Sequence, residues 1–120
     1  MGLRMRKRHN LEPRMEKCAH LMISEPESLR GRWAEEFPEF KNIQLEIGCG
    51  KGRFTADTAT DMPDTLLVAI EKVPDAMIIA MERVNERGLE NVRFIDGDAA
   101  KLKEIRAEME NEISGEQNHE

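Results

Sequence analysis

Leu45-Glu46-Ile47-Gly48-Cys49-Gly50-Lys51-Gly52-Arg53-Phe54 joins a short β-prone run, Ile43 to Ile47, to a helical pattern from Arg53 to Met62 that Pro63 ends. Three glycines at alternate positions exceed what a plain strand-to-helix turn needs. They let the backbone bend sharply and approach a ligand with no Cβ in the way. The helix that follows offers free N–H groups that favour an anionic group. The spacing is G-x-G-x-G, unlike the G-x-G-x-x-G of dinucleotide sites, and no G-K-[ST] triplet marks a phosphate loop.

Downstream the pattern repeats. Leu66 to Ile70 is apolar on both faces and ends at Glu71, as a strand inside a parallel sheet should. Pro74 to Arg87 predicts a helix, with proline near its start, Gly88 just past its end, and Met77, Ala80, Met81 and Val84 in one stripe. Asn91 to Ile95 predicts a third strand, followed by Asp96-Gly97-Asp98 and a helix over Ala99 to Met109. This β-α-β-α-β-α order implies an α/β fold with three parallel strands in the order 3-2-1. On that reading strand 1 exposes an apolar edge, and edges of that kind invite pairing.

Upstream, residues 1–12 predict an exposed arm, and residues 13–22 a short helix carrying Met15, Cys18, Ala19 and Met22 on one side. Ser24 to Phe40, broken by Pro26, Gly31 and Pro38, reads as a connection with one helical turn around Trp33. The expected organisation is a basic N-terminal region (1–40), a β-α-β-α-β-α unit (41–110) and a polar tail (111–120). The 120 residues suffice for one small core.

Net charge is −6 but uneven. Residues 1–20 carry six Lys/Arg against Glu12 and Glu16, a surplus of four, which leaves −10 on the rest. Arg4, Arg6, Lys7 and Arg8 form a basic cluster suited to local contact with a polyanion; its plain alternative is a solvated terminus. No apolar run reaches membrane-spanning length and the basic N-terminus lacks an apolar signal core, so a cytoplasmic location is expected. Cys18 and Cys49 have no partner at metal-ligand spacing and read as reduced thiols, with no metal site.

Ligands of open α/β sheets bind beyond the strand C-termini, where three acids fall. Glu46, two residues before Gly48, suits a ligand with a positive ammonium or sulfonium near its carboxylate, and S-adenosylmethionine is such a ligand. Glu71 can accept from both ribose hydroxyls, a device that NAD sites share. Asp98 can accept from an adenine amine, or cap the next helix.

These residues together resemble the bacterial tRNA (guanine-N7-)-methyltransferase family. The similarity lies in L-E-I-G-C-G-K-G-R-F, A-I-E-K and N-V-R-F-I-D-G-D-A, with the basic opening and S-E-P-E-S-L-R-G-R-W, and extends to about Ile105. It implies a Rossmann-like S-adenosylmethionine-dependent methyltransferase fold, incomplete here. It also implies S-adenosylmethionine contacts from Glu46, Glu71, Asp98 and the backbone of Gly48, Gly50 and Gly52. By the same resemblance the partner is tRNA, touched by Arg4, Arg6, Lys7 and Arg8. Family members run to roughly 200 residues, and their Asp-Pro-Trp-Pro-type segment and basic cluster have no counterpart here. The catalytic residues are expected in that later part, so this chain reads as the cofactor-binding half. The alternatives are a non-catalytic S-adenosylmethionine- or RNA-binding fragment, a methyltransferase for another acceptor, and, more distantly, an NAD-dependent oxidoreductase.

Overall fold

Leu66 to Ile70 does become the middle of a strand buried along its whole length, β2 (Thr65–Glu71). The structure is a computed structural model that describes residues 12–97, 99–109 and 112–118. Strand β1 (Asn42–Ile47) lies parallel to β2 on one side, and β3 (Val92–Asp96) lies parallel on the other. The expected 3-2-1 order is observed, with one addition. Residues Gly115–Asn118 form a fourth strand, β4, parallel to the far side of β1, so the sheet runs β3-β2-β1-β4. The apolar edge expected on strand 1 is therefore covered.

Nothing apolar in Gly-Glu-Gln-Asn announces β4. It is held by backbone pairing and local polar contacts. Ser114 N donates to Ile43 O at 2.5 Å, and the Arg106 guanidinium grips Glu116 at 2.7 and 3.0 Å.

The helices occupy both faces. On one side lie α1 (residues 12–17), α3 (Arg53–Asp61) and α4 (Pro74–Glu86). They pack Cys18, Leu21, Ala56, Met77, Ala80, Met81 and Val84 against Leu67, Ala69 and Phe94 of the sheet. On the other lie α2 (Trp33–Glu36) and α5 (Ala99–Met109), which set Trp33, Ile105 and Met109 against Leu45, Val68 and Ile95. Alternation along β2 sends Leu66, Val68 and Ile70 to one cluster and Leu67 and Ala69 to the other. A fully buried side chain of this size contributes about 1.5–3 kcal/mol, so the two-sided strand anchors the fold. Met77 and Met81 of the predicted stripe are core residues, and Trp33 is fully buried on the other face of the sheet.

The predicted 13–22 helix is shorter than expected. It stops at residue 17, and Ala19–Leu21 forms a 3₁₀ turn. Met22 then bridges in parallel to Phe94, with Ile23 N donating to Phe94 O at 2.9 Å, so the chain lies along the outer edge of β3. At the end of α4, Gly88 N returns to Asn85 O and Leu89 N to Val84 O, the paired closure of a Schellman motif.

Candidate cofactor site at the strand tips

The glycine turn sits where β1 ends and α3 begins. Gly48, Gly50 and Gly52 all have positive φ (72°, 56° and 78°). The alternating glycines therefore satisfy three left-handed positions that other residues avoid. They differ in surroundings. A Cβ on Gly50 would meet nothing within 4 Å, whereas one on Gly52 would lie 2.6 Å from Ala80 Cβ and 2.7 Å from its Cα. The missing side chain of Gly52 thus serves the close approach of α3 to α4, while Gly50 keeps the turn open outward.

Glu71, at the tip of β2, is 7% exposed and reaches across to this turn. Its Oε1 accepts from Gly50 N at 2.7 Å, and its Oε2 accepts from Lys72 N at 3.1 Å and Val73 N at 3.0 Å. The bond to Gly50 is short, as charge-assisted bonds are. Further ties fix the two tips: Gly48 N donates to Ile70 O at 2.9 Å and Gly97 N to Glu71 O at 3.3 Å.

Glu46 lies deeper, 4% exposed, and accepts from the Thr55 hydroxyl in the first turn of α3. The sequence reading gave Glu46 to a ligand's cationic group; the structure brings it to Thr55. The side chain of Thr55 is itself fully buried, and its role was not read from the sequence. Cys49, buried between the two acids, has its thiol pushed up by burial and then by the charges of Glu46 and Glu71. Both cysteines are free and buried.

Two large apolar side chains are exposed among the described residues, Phe54 (50%) and Val73 (46%). They begin α3 and cap α4, so both flank this end of the sheet. In the sequence each stands two residues after a candidate site residue, Phe54 after Gly52 and Val73 after Glu71. Asp98 and the cluster of Arg4, Arg6, Lys7 and Arg8 lie outside the described residues.

A cavity of about 780 Å³ lies elsewhere. His20, Phe40, Pro63, Asn85, Asn91 and Arg93 line it at the opposite, N-terminal end of the strands. Glu39, Glu90 and the last turns of α3 and α4 also face it, presenting carboxylates and carbonyl ends. The strand tips hold the acids and the glycine turn, so the candidate site is placed there. No helix among the described residues is long and apolar enough to cross a membrane, and none of their acidic, histidine and cysteine groups could hold a metal ion.

A family model described as "Putative methyltransferase" matches residues 41–114. The tRNA (guanine-N(7)-)-methyltransferase of Clostridium tetani is 33% identical over 103 residues, covering 86% of this chain and 48% of that protein. The protein of the same name from Clostridium beijerinckii is 42% identical over 69 residues, covering 58% and 31%. The chain spans about half the length of the first of these. A solved structure of an antibiotic related methyltransferase aligns with TM-score 0.60 at 20% identity, over 74% of this chain and 45% of that one. That likeness is one of fold, and it agrees with the α/β class read from the residues and with the Rossmann-like fold that the resemblance implies.

Proposed function

Because this chain belongs to the methyltransferase family whose model spans residues 41–114, we propose that it binds S-adenosylmethionine and serves methyl transfer to N7 of guanine in tRNA. The observation that carries the reading is the joint placement of a buried carboxylate, Glu71, and an outward-open glycine turn at adjacent strand tips. The similarity to tRNA (guanine-N(7)-)-methyltransferases supports the acceptor.

The donor set suits the cofactor. A carboxylate has about four acceptor positions, and three of those on Glu71 are taken by backbone N–H groups, which leaves capacity for a sugar hydroxyl. Gly50 leaves room for the amino-acid end, to which the Gly48 backbone is also assigned, and exposed Val73 offers apolar surface beside the sugar acid. Asp98, placed by sequence just after β3, is assigned to the base. Glu46 supports the turn from beneath through Thr55, and its charge favours a cationic centre above it. Gly52 is assigned as backbone support of the same turn.

S-adenosylmethionine, when bound, supplies a methyl group made electrophilic by the sulfonium. Guanine N7 has a lone pair and no proton to lose, so the protein's task is in-line placement more than strong general-base chemistry. The residues at the tips do that by fixing sugar and amino-acid end through a pre-shaped turn. Arg4, Arg6, Lys7 and Arg8 are assigned to phosphate contacts, which position an RNA without reading its sequence.

Calorimetric titration of the 120-residue chain with S-adenosylmethionine and with NAD tests the reading. Saturable binding of the first alone is expected; preference for NAD overturns it. Because the chain spans about half the length of the C. tetani relative, binding rather than methyl transfer decides.

A further inference from the structure

We propose that Glu71 is a positioning residue as well as a sugar contact: its carboxylate fastens the glycine turn through the Gly50 amide, so one side chain couples the two ends of the ligand. The inference rests on the assignment of Glu71 to the sugar made above. Gly50 N and Glu71 Oε1 are 21 residues apart in sequence and 2.7 Å apart in space. The bond crosses from the loop after β1 to the tip of β2. It acts on the residue of the turn whose left-handed backbone faces open space, where the neighbouring Cys49 thiol donates to the Gly50 carbonyl at 3.8 Å. On the other flank Gly52 is wedged against Ala80, so the turn is gripped at Gly52 by packing and at Gly50 by this carboxylate.

The acceptor count sharpens the coupling. With about four positions on the carboxylate and three engaged by Gly50, Lys72 and Val73, a diol offering two hydroxyls must share one position with a backbone amide. Lys72 and Val73 are sequence neighbours of Glu71 and move with it, whereas Gly50 belongs to another loop. Occupation of the sugar position and the setting of the glycine turn are therefore linked through Oε1.

The test uses the full 120-residue chain, S-adenosylhomocysteine and its 2′,3′-dideoxy analogue, which cannot use a sugar acid. Wild type, Glu71→Ala and Glu71→Gln are titrated calorimetrically with both, and exchange of the Gly50 amide is followed by NMR without ligand. A bond to a buried carboxylate should protect Gly50 in wild type. Glu71→Ala, which leaves no acceptor, should speed its exchange at least about tenfold, the lower end of what a bond to a charged group is worth, and Glu71→Gln should fall between because its amide oxygen still accepts. Glu71→Ala should also bind the dideoxy analogue about tenfold more weakly than wild type. A Gly50 amide that exchanges at an open-loop rate in wild type overturns the proposal without any variant. So does equal binding of the dideoxy analogue by wild type and Glu71→Ala. Equal binding of both nucleosides by wild type would instead remove the sugar contact, while Gly50 protection still decides the fastening.

Discussion

Replacing Gly52 by alanine separates two reasons for a glycine in one turn. The new Cβ would meet Ala80 of α4 at 2.6–2.7 Å, and the residue would hold φ +78°. A left-handed backbone costs an L-residue about 1–2 kcal/mol, and overpacking a tight contact costs typically 1–3 kcal/mol. Gly52→Ala should therefore destabilise by about 2–5 kcal/mol, a large share of the roughly 5–15 kcal/mol that holds a domain. Gly50→Ala is the control: its φ is also positive, but its Cβ meets nothing, so it should lose about 1–2 kcal/mol. The gain from stiffening the unfolded chain is common to both and cancels. In urea, with a slope near 2 kcal/mol per molar, the two midpoints should differ by about 0.5–1.5 M. Ala80→Gly placed in the Gly52→Ala background should recover only a part of the packing loss, because Ala80 Cα remains 2.7 Å from the new Cβ and glycine in a helix costs about 1 kcal/mol. Equal midpoints for the two alanine variants would refute packing as the reason for Gly52.

Further outcomes follow from other contacts. The Asn91 side-chain nitrogen donates to Ala59, Met62 and Thr65 carbonyls, each at 3.0 Å, so Asn91→Ala should cost about 2–4 kcal/mol in chemical denaturation; a loss below 1 kcal/mol would contradict its role. Arg14 grips Glu82 at 2.5 and 2.8 Å, both side chains about a third exposed, and a double-mutant cycle at neutral pH should give a coupling under about 1 kcal/mol. The Arg14 hydrogen bond holds Glu82 below its ordinary 4.5. The coupling is therefore complete above that value and should fade as pH falls through the lowered one; growth on acidification would be the wrong sign. Burial pushes both thiols up, Cys49 with help from Glu46 and Glu71 and Cys18 with help from Glu82, so a thiol reagent at pH 8 should label neither until urea is added, and rapid native labelling of Cys49 would disprove its enclosure.

Much of the fold was legible because its strands advertise themselves. Leu66 to Ile70 is apolar on both faces, and Pro74 and Gly88 bracket α4. What escaped was structure made by the backbone or by distant partners. β4 carries no apolar residue and exists because β1 offers it a ladder and Arg106 holds Glu116. The glycine turn was legible as a turn, yet the reason for Gly52 was not, since Ala80 lies 28 residues away in sequence. Glu46 and Glu71 were both marked as acids at strand tips, but only distances reveal that one holds Thr55 and the other Gly50.

The segment before β1 also bears on where this protein can be cut. A chain begun at residue 41, where the family match starts, would lose Leu21 and Trp33 from opposite cores and strip Met22 and Ile23 from the flank of β3. The packed unit thus starts well ahead of the family-model match, and a gene shortened to that match alone would yield a sheet with a raw, sticky margin.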